Sequence, residues 1–111
     1  MTWFRIKAGT ASYNEGRRES KKGNYSSAVT WFSKAERYYS SEYGSHHPRV
    51  LASIERRAYC LVKLGNADAA VQQYEYVLTH ARKAQSDASW IKQIEEYLAW
   101  ARESSAAASG H

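Results

Sequence analysis

The chain has 111 residues, 43% of them hydrophobic, with one proline and six glycines. That is the length of one domain and too apolar for a disordered chain, and so few helix breakers favour long helices over strands and loops. The formal net charge of +5 is uneven: residues 1–63 carry 12 Lys/Arg against 5 Asp/Glu, residues 64–111 only 4 against 6.

A basic half of this kind suits an acidic peptide, an RNA or an anionic surface, or simply faces water. No run approaches the ~18 apolar residues of a membrane span. The opening Met1-Thr2-Trp3-Phe4-Arg5-Ile6-Lys7 lacks the apolar stretch of a secretory signal. Cys60 is the one cysteine, so no intrachain disulfide can form; as a buried thiol it would act as a small hydrophobe. These features lead to the expectation of an intracellular protein, cytoplasmic or organellar.

In chain order, residues 1–8 read as a lead-in. A first helix is predicted over about 9–22, ending before Gly23. A second is predicted over about 25–42, with Asn24 as the N-cap whose side chain accepts an orphan N–H. Ala28, Phe32, Ala35 and Tyr39 recur at i, i+4, i+7 and i+11, which puts them on one face. Tyr43 to Pro48 is the longest loop signal, and Pro48 opens a third helix where its missing N–H has no partner to lose. That helix ends before Gly65. A fourth runs from about 67 to 85, with Asn66 as cap and Asp68 near the positive end of the dipole. Ser86 or Asp87 opens a fifth, to about Ser105, with Trp90, Ile91, Ile94, Tyr97, Leu98 and Ala101 on one side. Residues 106–111 read as a tail.

One spacing organises these helices. Gly23, Asn24, Ala28, Val29, Phe32 and Ala35 recur as Gly65, Asn66, Ala70, Val71, Tyr74 and Val77, each 42 positions on. Gly16 and Ala58, and Lys21 and Lys63, keep the same offset. The expectation is an all-α solenoid of two helical hairpins, about residues 9–48 and 49–86, closed by a capping helix at 87–105, the whole forming one domain over 9–105.

The run Tyr13-Asn14-x-Gly16, Gly23-Asn24-Tyr25, Ala28, Phe32, Ala35 resembles the tetratricopeptide repeat, and Ala58, Gly65-Asn66, Ala70 and Tyr74 form a second copy. Ala67 and Val77 depart from the family pattern, as do Glu15 and Glu19. The usual repeat is 34 residues. The 42-residue spacing and the Gly44-Ser45-His46-His47-Pro48 junction resemble the longer-repeat branch typified by the kinesin light chain. The resemblance implies a concave groove lined by the first helix of each hairpin. On helix one that face holds Thr10, Tyr13, Arg17 and Lys21, with Asn14 at a position that often holds a ligand's backbone in the family. On helix three it holds Ala52, Glu55, Arg56, Tyr59 and Lys63. Aromatic residues among basic ones suit an acidic or carboxylate-ended peptide. The Lys/Asn clamp that some family members use is not reproduced, since Tyr13 and Arg17 stand at those positions.

The expected function is therefore a non-catalytic adaptor, scaffold or assembly subunit that binds another protein. Trp31 and Tyr38, off the Phe32 face, and Trp100, off the helix-five stripe, are expected as exposed anchors. Trp3 and Phe4 either fold back onto Trp31 or add to that surface. Two repeats are few for a free-standing solenoid, so a homo-oligomer or a larger assembly is expected. The alternative is an RNA- or polyanion-binding repeat protein, with Arg17, Arg18, Lys21, Lys22, Arg56, Arg57 and Lys63 on phosphates and Tyr13 and Tyr59 stacking on bases. No nucleophile motif, phosphate loop or metal spacing is present, so no enzyme, cofactor or metal is expected. His46 and His47 are adjacent rather than i, i+4, and His111 is terminal.

Overall fold

A computed structural model describes residues 2–109. They form five α-helices: α1 Thr2–Lys21, α2 Tyr25–Tyr43, α3 Pro48–Lys63, α4 Ala67–Lys83 and α5 Ala88–Ser109. Among the described residues there is no strand. Each helix packs on the next as in a row of hairpins, and α3 also touches α5. The result is an elongated body of 50 × 32 × 19 Å. Among the described residues no helix is long and apolar enough to cross a membrane.

The 42-residue recurrence has a backbone counterpart. Gly23 and Gly65 sit at φ 82° and 85°, a region that costs a residue with a Cβ but not glycine. Each ends its helix in a Schellman turn: Gly23 N donates to Ser20 O and Asn24 N to Glu19 O, while Gly65 N donates to Val62 O and Asn66 N to Leu61 O. The same turn closes α4, with Gln85 at φ 54° in the glycine's place.

Asn24 and Asn66 occupy N-cap positions but make no capping bond with their side chains. Each is also the last residue of the preceding Schellman turn, which holds ψ at 67° and 60°. A capping side chain needs extended backbone to reach the first-turn N–H groups, so the tight turn rules it out. Asn24 Nδ2 instead donates to Glu19 Oε2 at 3.4 Å. Side-chain caps form where the loops are longer. His47, extended at ψ 145°, accepts from Arg49 N through Nδ1 at 3.1 Å. Asp87 accepts from Ser89 N at 2.7 Å.

Two helices are longer than the sequence reading. Residues 2–8 are not a lead-in but two further turns of α1, tied to the end of α2 by Arg5 Nη1 bonds to Ser41 Oγ and Glu42 Oε1, both 3.2 Å. The expected tail continues α5 through its alanines, strong helix formers, and Ser105 hydrogen-bonds Asp68. His111 lies outside the described residues.

The core follows the predicted faces. Ala28, Phe32, Ala35 and Tyr39 of α2 are buried, as are Ala70, Tyr74 and Val77 of α4 and Ile94, Leu98 and Ala101 of α5. Helix α1 differs: its buried residues are Gly9, Ser12 and Gly16. A Cβ on Gly16 would lie 2.8 Å from the Phe32 ring, and one on Gly9 would lie 2.8 Å from Tyr39. The rings of α2 thus pack directly on the α1 backbone. At the corresponding places of the second hairpin, Leu51 and Ala81 exchange the bulk of Gly9 and Tyr39, and all are buried. Cys60 is buried too, and burial raises its pKa, which keeps it a protonated, inert thiol.

Candidate binding groove

Helices α1, α3 and α5 stand side by side and line a cavity of about 650 Å³. Tyr13 and Lys21 come from α1, Glu55, Arg56 and Tyr59 from α3, and Trp90, Gln93 and Tyr97 from α5, over a floor that includes Phe32 of α2 and Tyr74 of α4. The hairpin stacking explains the arrangement. The first helices of successive hairpins fall on one side, and their second helices push one aromatic each between them.

Two cations, Arg56 in the groove and Lys63 beside it, lie on aromatic faces. Arg56 Nε donates to Tyr13 Oη at 2.7 Å, and its guanidinium lies 5.7 Å from the Tyr13 centroid. Lys63 Nζ lies 5.6 Å from the Tyr59 ring and 5.8 Å from Trp100. Tyr59 in turn meets Tyr25, Tyr97 and Trp100 at centroid distances of 6.3, 6.1 and 5.5 Å. Such contacts hold the charges in place while leaving most of their N–H groups free.

The one carboxylate of the groove ties its walls together. Glu55 is buried and accepts from Trp90 Nε1 at 2.9 Å and Gln93 Nε2 at 3.0 Å, which joins α3 to α5. Below it, Tyr74 stacks on Tyr97 at 6.0 Å. Its hydroxyl is buried with no hydrogen-bond partner among the described residues. Burial raises its pKa, with the Glu55 charge adding in the same direction.

Of the residues nominated from sequence, Tyr13, Lys21, Arg56 and Tyr59 line this cavity together. Arg17 is exposed one turn from both Tyr13 and Lys21, on the same side of α1. Asn14 is exposed and further round the helix, outside the cavity lining. Lys63 lies outside the lining, over the rings of Tyr59 and Trp100. That corrects the expectation for Trp100: it is half-buried against Tyr59 and Tyr97, beside the cavity but outside its lining, rather than an exposed anchor. Helix α5 is likewise more than a cap, because it forms a groove wall.

Trp31 and Tyr38 lie elsewhere, in a cleft between α1 and α2 with Arg5, Lys34 and Arg37. Both are half-buried, and Lys34 Nζ sits 4.6 Å over the Trp31 ring. Trp3 and Phe4 stay exposed, 70% and 62%, with Lys7 over Trp3 at 4.5 Å. The continuation of α1 as one helix from Thr2 accounts for this, since it leaves no loop with which to fold them back.

The basic patch drawn for a polyanion does not assemble in full. Arg18 pairs with Glu15 at 2.5 Å and Lys22 with Glu19 at 3.8 Å. Arg57 is turned to the other side of α3, where it bonds Glu36, Ser33 and Gln73 and joins α2, α3 and α4. Among the described residues no group of three His, Cys, Asp or Glu is placed to hold a metal.

Sequence reasoning missed Trp90, Gln93 and Tyr97 as groove residues because the helix-five stripe reads as core. Its width is the available signal. Trp90 and Tyr97 carry polar tips that need partners when buried, which points to the edge of the stripe rather than its centre. No protein-family model, curated protein or solved structure matches this chain.

Proposed function

We propose that this chain is a non-catalytic protein-interaction module of the tetratricopeptide-repeat kind, with long 42-residue repeats, that holds an acidic segment of a partner protein in its concave groove. The observation carrying this reading is that Tyr13, Lys21, Arg56 and Tyr59 line one cavity, with Arg56 and Lys63 packed on tyrosine rings. Preplaced cations cost little ordering when a carboxylate arrives, and the rings add apolar contact. Trp31 and Tyr38, on another cleft, serve as a second contact for a larger partner or assembly. A reducing intracellular compartment suits the buried single cysteine. The polyanion alternative is weaker because Arg18, Lys22 and Arg57 are engaged by glutamates.

The test begins with affinity purification and cross-linking mass spectrometry, which names the partner and the face it uses. The double variant Lys21→Glu/Arg56→Glu should then lose most of the binding while keeping its helical circular dichroism. Unchanged affinity would move the interface off the groove. A steep loss of affinity with salt for RNA, in place of peptide binding, would favour phosphate contacts.

A further inference from the structure

The two repeats floor the groove differently. Phe32 and Tyr74 hold equivalent places 42 residues apart, and both are buried. Phe32 offers only a ring. Tyr74 adds a hydroxyl, and Tyr74 Oη is a buried side-chain atom without a hydrogen-bond partner among the described residues. A buried hydroxyl left unbonded is destabilising, and Phe32 shows that the repeat position itself does not require one.

Resting on the groove reading above, we propose that the α3–α5 end of the cavity is a subsite for one tyrosine side chain of the acidic segment, received at its phenol by Tyr74 and Glu55. The chemistry of the site selects that group. The Tyr59 ring flanks the subsite, and Tyr97 lies edge-on to Tyr59 at 6.1 Å and stacked over Tyr74 at 6.0 Å. Glu55, an acceptor only, has taken one donor from Trp90 and one from Gln93, which leaves lone pairs for another. An entering tip must therefore be planar behind and able to donate. A carboxylate tip is repelled by Glu55. An ammonium or guanidinium meets Lys21 and Arg56 on the same cavity, two cations against one carboxylate. A phenol is neutral, donates once and accepts twice, so it can serve Glu55 and Tyr74 together. Because Tyr97 stacks over the buried Tyr74 and is itself exposed, the proposal requires Tyr97 to swing aside for the tip to reach Tyr74 Oη. At the mouth, Arg56 uses Nε on Tyr13 and keeps its other N–H groups for carboxylates flanking the tyrosine.

The experiment titrates the full chain and its Tyr74→Phe variant with three short fluorescein-labelled, glutamate-rich peptides that differ only in a central Tyr, Phe or Lys. Thermal melts accompany the titrations. The wild type should bind the Tyr peptide about tenfold tighter than the Phe peptide, the size of one good hydrogen bond. Tyr74→Phe should melt no lower than wild type, bind the Phe peptide as before, and lose most of the preference for Tyr. An unchanged Tyr-to-Phe ratio in the variant overturns the subsite while leaving the groove standing. So does an equal loss for all peptides, which marks a structural role. A Lys peptide that binds tightest overturns it in favour of a cation cage. Failure of every peptide to bind the wild type overturns the groove reading and the subsite with it.

Discussion

Gln85 holds a backbone conformation that glycine holds at Gly23 and Gly65, with φ 54° at the end of α4. The left-handed region costs a residue with a Cβ about 1–2 kcal/mol, part of which glycine returns in unfolded-state entropy. Gln85→Gly should therefore raise stability by about 0.5–1 kcal/mol in urea unfolding; a decrease would mean that the Gln85 side chain contributes more than its backbone costs. His47 provides a pH-dependent test at the same scale. Its Nδ1 must be unprotonated to accept from Arg49 N. Desolvation, then the Arg49 charge, lower its pKa from 6.5. The sign follows: the unfolded chain binds the proton more readily, so the capping contribution is complete above about pH 6.5 and fades as pH falls towards the folded value. His80, stacked on His46 at 3.7 Å, is shifted in the same direction. His47→Asn, which keeps a capping acceptor, should make melting temperature less sensitive to pH between 8 and 5. An identical slope in variant and wild type would show that the pH dependence does not come from the His47 cap. Asp87 is lowered by its bonds to Ser89 and Trp90, so its contribution is present above the usual carboxylate range and is lost only in stronger acid.

At the scale of the element, α1 is the unusual member. It buries two glycines and a serine, while its largest apolar residues, Trp3 and Phe4, face water. Its attachment thus depends chiefly on close approach to Phe32 and Tyr39, with Tyr13 the partly buried side chain that it packs against the core. The second hairpin accepts the methyl of Ala58 at the place of Gly16, so a decisive test needs a larger step. Gly16→Val should cost about 1–3 kcal/mol, the range for overpacking a filled core. Amide exchange should rise throughout α1 but little in α3 and α4, because α1 packs mainly on one neighbour. Uniform exchange across all five helices in the variant would show that α1 and the rest unfold as one unit.

Taken as a whole, the molecule is an elongated row with two open ends and one basic, aromatic hollow. Its charge asymmetry survives folding on that hollow: Lys21 and Arg56 line it with Glu55 as the inner carboxylate, and Lys63 lies over the Tyr59 ring beside it. A partner that binds only the folded row must stabilise it. At a hundredfold excess over Kd a glutamate-rich peptide should add about 2.7 kcal/mol, seen as a higher melting temperature. The increment should vanish in Lys21→Glu/Arg56→Glu. If it persists in that variant, the peptide occupies another surface, and the Trp31–Tyr38 cleft with Arg5, Lys34 and Arg37 is the next to mutate.

Helix ends marked by glycine were readable from the chain because the left-handed turn is a local demand: Gly23 and Gly65 punctuate the sequence and the backbone alike. The buried faces of α2 and α4 were readable for a similar reason, since helical period alone puts Phe32 with Ala28 and Ala35, and Tyr74 with Ala70 and Val77. The start of α1 was not, because nothing between Thr2 and Gly9 breaks a helix and nothing announces one. The capping asparagines misled, because a neighbouring turn set their ψ and cancelled a local preference. In the groove, Tyr13, Lys21, Arg56 and Tyr59 could be named from their helix positions, as each lies on the inner side of its own hairpin. Trp90, Gln93 and Tyr97 could not. Period fixes which residues of α5 share a side, but only the placement of α5 beside α3 decides which edge of that side meets Glu55, Tyr59 and Tyr74 and which meets the core.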